Sequence, residues 1–308
     1  MKQEVETYPA SKRSEIFELM HESQNWLQVE HDGWKLPATA DAKEDCGKWQ
    51  TKGCLNVQAH QNSFYPGRVY IKSFQKSCYR ASCEMCYKKW MARDSNKATR
   101  RICKYEKISK KPAKHIIISP PSWKYFIPIR ELRKEAYKVL KGVGAVGGSL
   151  IFHPFRYNKD YKKWYYSPHF HIIGFGWLVG IVESYQKNGW VVKNKGVRES
   201  VFATYYYQLS HAGVKHGYHT ITWFGDLSYS KLTVEDEPNL DECPLCGAKL
   251  RLVFHYGLFG WLPPPEIEGE FFVEPEGWRI VEINPYHSQP VSNCLIIYRK
   301  HKPRFDMI

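Results

Sequence analysis

Hydrophobic positions in the middle of this chain switch between two periods. His115-Ile116-Ile117-Ile118-Ser119 is a short β-branched run stopped by Pro120-Pro121, which predicts a buried strand. Ile129, Leu132, Ala136, Val139 and Leu140 recur at helical spacing until Gly142-Val143-Gly144 breaks the pattern. A second strand follows at Ser149–Phe155, then a polar turn at Tyr157–Asp160, then a third strand through Pro168-His169-Phe170-His171-Ile172-Ile173-Gly174. The short turn-rich spacer predicts an antiparallel hairpin. Residues 200–213 read as a helix with Gly213 near its end. An earlier helix spans about Cys86 to Tyr105, with Tyr87, Met91, Ala98, Ile102 and Tyr105 on one stripe. The order of strand, helix, hairpin and helix predicts an α+β fold, with a central antiparallel sheet and flanking helices.

Composition divides the chain into three regions. Residues 1–111 are cysteine-rich and end in the basic helix. Residues 112–232 carry the alternating elements. Residues 233–308 open with the acidic linker Glu235-Asp236-Glu237-Pro238 and form a C-terminal region with the last cysteines. No internal repeat or long low-complexity segment is visible.

The formal charge is +14, from 45 Lys+Arg against 31 Asp+Glu, which suits a polyanionic partner such as nucleic acid. Aromatics make up 15% and are interleaved with Lys and Arg, so some can stack bases while most pack the core. Ten Lys/Arg lie between Cys86 and Lys111, against Asp94 and Glu106 only. Lys88, Lys89, Arg93, Lys97, Arg100 and Arg101 form a candidate phosphate-contacting face, with Lys215 beyond the later helix. No apolar run approaches the ~20 residues of a membrane span, and the first residues lack a signal-peptide core. A cytoplasmic protein with no membrane partner is expected.

Nine cysteines, an odd number in such a chain, point to metal rather than disulfides. Cys83-x-x-Cys86 and Cys243-x-x-Cys246-Gly247 have zinc-knuckle spacing. Cys46, Cys54 and Cys78, with His60, are candidates to complete the first site. The second pair needs distant partners such as His255 or Cys294, or an N-terminal pair across the fold. Zinc in either place would be structural, stabilising irregular regions. Cys103 reads as a packed thiol.

In a strand, alternate side chains share a face. His169 and His171 therefore point together, away from Phe170 and Ile172, and form half of a divalent metal site. His153 on the partner strand and His115 on the first strand are candidate third ligands. A tyrosine-bearing helix follows about 36 residues later. A phenol ionises near pH 10, so a tyrosine nucleophile at neutral pH needs a metal to offset phosphate charge.

The segments HIIISPP (115–121), GGSLIFHPFR (147–156), SPHFHIIGFG (167–176), YYYQLSHAG (205–213) and TWFGDLSYSKL (222–232) resemble, in order, the motifs of archaeal plasmid and virus rolling-circle replication initiators. These belong to the His-hydrophobic-His (HUH) endonuclease superfamily. The resemblance covers roughly residues 78–250. It implies an HUH core and metal-dependent, site-specific nicking and joining of single-stranded DNA at a plasmid or virus replication origin. The route is a covalent 5′-phosphotyrosine intermediate. It also implies Mg²⁺ or Mn²⁺ at His169 and His171, with host helicase and polymerase as partners, since no Walker-type loop is present.

Tyr207 and His211 are four apart and share a helix face, which makes Tyr207 the first candidate nucleophile and His211 its partner. Tyr206 is second; Phe202, Tyr205, Tyr206 and Leu209 cluster on another face and read as packing. A single-tyrosine HUH transposase, a relaxase and a non-catalytic zinc-bearing DNA-binding protein are the alternatives.

Overall fold

The computed structural model describes residues 23, 25–235 and 241–281. In chain order a small hairpin comes first, β1 (Glu30–His31) and β2 (Trp34–Lys35), followed by β3 (Trp49–Cys54) and β4 (Val69–Gln75). The long basic helix is α1 (Tyr87–Ser109), and β5 (Lys114–Ser119) leads to α2 (Ile129–Gly142). Two fourteen-residue strands follow, β6 (Ala145–Asn158) and β7 (Lys163–Gly176). Then come α3 (Ile181–Asn188), β8 (Val191–Val197), α4 (Val201–Ser210) and β9 (Ile221–Gly225). The remainder is all β: β10 (Arg251–Gly257), β11 (Gly260–Trp261), β12 (Gly269–Val273) and β13 (Trp278–Ile280).

The chain forms two compact units: residues 1–44 with 77–235, and residues 45–76 with 236–308. The composition boundary near residue 111 is therefore not a boundary between units, because α1 folds with the middle region. Residues 45–76 instead pair with the chain's end, β3 against β10 and β4 against β12. Backbone pairing over such a separation leaves no local pattern to read.

In the first unit, five antiparallel strands are ordered β8-β5-β7-β6-β9. The predicted strands and helices lie where periodicity put them, with β6 and β7 longer than expected. The sheet is covered on both faces. On one, Leu132, Ala136 and Leu140 of α2 pack against Ile116, Ile118, Leu150, Phe152, Phe170 and Ile172. On the other, Trp90, Met91 and Ile102 of α1 and Tyr205 and Leu209 of α4 pack against Ile151, Ile173 and Phe175. The Ser200 hydroxyl caps α4 by accepting from Ala203 N at 3.1 Å. Just past the helix, Gly213 N donates to Phe152 O at 2.8 Å, which fixes the end of α4 beside β6.

In the second unit, the sheet runs β11-β10-β3-β4-β12, with β13 also on β10. Its core is small: Val69, Ile71 and Val253 on one side, and Cys54, Tyr70, Cys243 and Leu250 on the other. No helix among the described residues is long and apolar enough to cross a membrane.

Phe170 is fully buried against Phe152 and Trp190. Phe170→Ala is expected to cost about 3–5 kcal/mol, read from the denaturation midpoint of the first unit. A loss under about 1 kcal/mol would mean that this layer is not close-packed.

Candidate active site

Strand β7 is central, with β5 on one side and β6 on the other. Register sets His153 directly across from His169, Ile151 across from His171, and His115 across from Ile173. The alternation expected for Pro168–Gly174 is realised: Phe170 and Ile172 enter the α2 layer, and the histidines face the opposite layer. His153, His169 and His171 each offer a nitrogen, and these nitrogens all lie within 4.8 Å of one another. The His153 ring centroid is 4.3 Å from that of His171 and 5.2 Å from that of His169. A register shift between His153 and Phe155 sets Ser167 and Pro168 of β7 against Pro154 alone. Such a bulge re-aims side chains beside it.

Hydrogen bonding indicates which nitrogens are available. His169 Nδ1 donates to Ser167 O at 2.9 Å, leaving its Nε2 lone pair for a ligand. His153 is completely buried, and neither of its ring nitrogens has a partner. A buried polar group without a bond is costly, so a metal at this place would satisfy it. Arg198 Nη2 donates to His115 Nδ1 at 2.9 Å, so His115 Nε2 carries the proton donated to His171 Nδ1, also at 2.9 Å. A metal taking His171 must displace or reverse that last bond. His115 is thus a partner of His171 and lies outside the three-ligand group.

The donor set is three imidazoles. That suits an ion tolerant of nitrogen, and it does not suit Mg²⁺, which takes oxygen ligands. The Mg²⁺ expectation therefore does not fit the residues present.

Burial holds every ring of the cluster neutral. It is the first cause in each case; nearby cations and histidines add to it at His115, His153, His169 and His171, whereas at His211 a bond with the Tyr207 backbone opposes it. His169 and His115 are pushed down to about 3 and His211 to about 4, while His153 and His171 lie well below the ordinary value.

The three tyrosines separate clearly. Tyr205 is fully buried and donates to Ser149 Oγ at 2.6 Å, a packing role. Tyr206 stacks on Phe202 at 5.9 Å. Tyr207 is half-buried, and its ring lies 4.9 Å from that of His211, which in turn lies 4.6 Å from that of His153. Ser210 Oγ donates to Tyr207 O, so it accepts from His211 Nδ1 at 3.1 Å. That tautomer leaves His211 Nε2 free to accept a proton.

The candidate phosphate contacts fare unevenly. Arg101 is buried: its Nη1 donates to Leu227 O and Leu232 O at 3.0 and 2.7 Å. Its guanidinium lies 5.2 and 4.6 Å from the Trp223 and Tyr229 rings. It clamps the segment after β9 to α1, so its assignment to DNA is corrected. Lys215 pairs with Asp32 at 3.1 Å, and Arg93 pairs with Asp94 at 2.9 Å. Lys89 and Arg100 are half-buried, and only Lys88 and Lys97 of the set are exposed.

The cysteines form two groups that can hold structural zinc. Cys78, Cys83 and Cys86 of the first unit belong to one, and Cys54, His60, Cys243 and Cys246 of the second unit make the other. Cys54 and His60 thus leave the first site, where they were expected, and complete the second. His255 packs on Trp278 instead, and Cys294 lies outside the described residues. His60 Nδ1 donates to Arg68 O at 2.6 Å, which turns Nε2 toward Cys243 Sγ at 3.4 Å. Such a bond from the other ring nitrogen to a backbone carbonyl is typical of a metal-bound imidazole. Cys103 is half-buried, and burial raises its thiol pKa. Sequence reasoning missed Arg198, for which no local signal exists. It also missed Arg156, although that residue ends the run that carries His153.

No family model, curated protein or solved structure matches this chain.

Two outcomes follow for this region. Protein purified without chelator should hold two zinc ions per chain in the cysteine groups, and Cys243→Ser should remove one, by metal analysis. Fewer than one zinc ion in the parent would refute that assignment. In metal-free protein the depressed histidines favour the neutral form. Stability is therefore fully present above pH ~6.5 and falls as pH drops toward ~3. Urea midpoints measured from pH 7.5 to 5 should decline, less steeply in His169→Gln, and a flat profile would contradict the burial.

Proposed function

We propose that this protein is an HUH-type endonuclease and DNA strand transferase that starts rolling-circle replication at an origin. The observation that supports it most is the row of rings Tyr207–His211–His153, which ends in the three-imidazole group. The ordered motifs support the same reading. His153, His169 and His171 would hold a divalent ion such as Mn²⁺. When bound, that ion supplies positive charge against the scissile phosphate.

The chain's own residues do the rest. The Tyr207 oxygen forms a bond to phosphorus as the bond from phosphorus to the 3′-oxygen breaks. The DNA 5′-phosphate remains on the tyrosine. His211 is neutral, with Nε2 open, so it accepts the phenol proton. Burial makes its cation costly, so the proton passes on to the leaving 3′-oxygen. The reverse reaction, with another 3′-hydroxyl as attacker, rejoins the strand. The cluster's near-complete burial keeps water from competing.

The test uses a random-sequence pool of single-stranded oligonucleotides with Mn²⁺ and a denaturing gel. Wild type should form a covalent protein–DNA adduct. Tyr207→Phe and His169→Ala should fall to background, and Tyr206→Phe should not. Adducts from Tyr207→Phe at the wild-type level would reassign the nucleophile. Absence of adducts from wild type on every DNA tried would leave a non-catalytic zinc protein as the better reading.

A further inference from the structure

The two strands that carry the histidines run on past them. β5 pairs with β7 only as far as Phe170, and β9 pairs with β6 only as far as Ile151. β6 and β7 continue together to Asn158 and Lys163. Beyond the bulge at Ser167-Pro168 the pair is therefore a two-stranded ribbon. Its register puts Phe155↔Tyr166 and Tyr157↔Trp164 on one face, and Arg156↔Tyr165 and Asn158↔Lys163 on the other.

The first face is covered. Trp164 meets Trp26 edge-on at 5.5 Å, and His31 stacks on Tyr166 at 3.5 Å. The Asn25 side chain bonds both the amide and the carbonyl of Trp164. The second face is open, with Tyr165 48% accessible and Lys163 exposed. The exposed tip adds Lys159, Lys162 and Tyr161, with Asp160 as its lone acid.

Arg156 is the unusual member. Its Nη2 donates to Ser119 Oγ at 2.9 Å and its Nε to Ser167 Oγ at 3.1 Å. Both partners are neutral hydroxyls, and it makes no ion pair with a carboxylate among the described residues. An arginine withdrawn from solvent is usually balanced by an acid or by carbonyls, as the buried Arg101 is. Arg156 is instead held in place with its charge unspent. It follows the His153↔His169 pair by three residues on the same strand. Its charge contributes to holding His169 and His171 neutral, which agrees with its closeness to the cluster.

We propose that the open face of this ribbon is the track for the single DNA strand that enters the histidine cluster: Arg156 takes a phosphate, Tyr165 stacks an unpaired base, and Lys163 follows the backbone. The assignment rests on the phosphodiester-transfer reading of the cluster. It departs from the sequence expectation, which placed DNA on α1 and Lys215. An exposed aromatic beside a guanidinium and lysines fits single strands, because every unpaired base has a face to stack. Tyr165 is four residues from His169, or about 13 Å along the strand, so a strand bound there is within reach of the cluster.

The experiment is fluorescence anisotropy on the full chain, in a Tyr207→Phe background that prevents covalent capture. The probes are a labelled random-sequence single-stranded 20-mer and its duplex form. Arg156→Gln and Tyr165→Ala should each weaken single-strand binding about tenfold, while Tyr165→Trp keeps it. Arg156→Gln should also lower the slope of log K against log salt by about 0.7, while Arg156→Lys preserves that slope. Unchanged melting temperatures exclude loss of fold as the cause. Binding of both variants within twofold of the parent, or tighter binding of duplex than of single strand, would overturn the track. The companion reading fails separately. If wild type forms no adducts but the ribbon variants still lose binding, the track stands and the chemistry falls. If adducts form and the variants bind normally, the track alone falls.

Discussion

The alternation of side chains along β7 is the constraint on which the rest depends. One run of residues must serve two layers at once. Phe170 and Ile172 close the α2 core, while His169 and His171 face α1 and α4. A slip of one residue would put imidazoles into the apolar layer and phenylalanine into the cluster. The register is therefore strongly held, by β5 on one side and β6 on the other, and the same pairing brings His153 opposite His169. The packing that stabilises the sheet thus also fixes the spacing of the candidate ligands. No loop has to order for the three nitrogens to converge.

Local pattern carried most of the first unit. The β-branched run of β5, the helical spacing of α2 and the flanks of the hairpin are short-range signals, and each element formed near its expected place. His153 was legible because a hairpin relates its two strands simply. The second unit was not legible. β3 and β4 gain meaning only by pairing with β10 and β12, about two hundred residues later. The same separation explains the exchange of Cys54 and His60 between the cysteine groups. Spacing identified the knuckle Cys243-x-x-Cys246, but only the β3–β10 pairing says what completes it. Helical charge was a weak guide as well. Arg101 sits on a basic stripe, yet it points inward to carbonyl groups and aromatic rings.

The electrostatics of the cluster follow from burial. Five imidazoles share one small region, and their charged forms are disfavoured by lost solvation and by one another. Neutral rings are what a metal requires, so burial prepares ligands rather than cations. The cluster is not uniform, however. His153 has no competing bond and His169 has its free nitrogen fixed by Ser167 O, but His171 is engaged by His115, which Arg198 backs. A metal at His171 would displace or reverse one imidazole–imidazole bond, whereas at His153 nothing would be lost.

Spent and unspent charge lie side by side in the first unit. A net positive chain does not bind polyanions with every cation it carries. Arg101 is satisfied by carbonyls, Arg93 and Lys215 by carboxylates, and each would have to give up a present partner to meet a phosphate. Arg156 would give up nothing ionic, since two serine hydroxyls hold its guanidinium while leaving its charge intact. Held at two points, it also loses little side-chain freedom on binding, unlike the exposed lysines of α1. A cation fixed in advance beside a potential metal centre stabilises a phosphate without reorganising, which is the electrostatic condition for phosphodiester transfer. On the proposed reading, the ribbon of β6 and β7, the strands that also carry the imidazoles, would supply such a cation, whereas the arginines of the basic helix that are buried or ion-paired are already engaged.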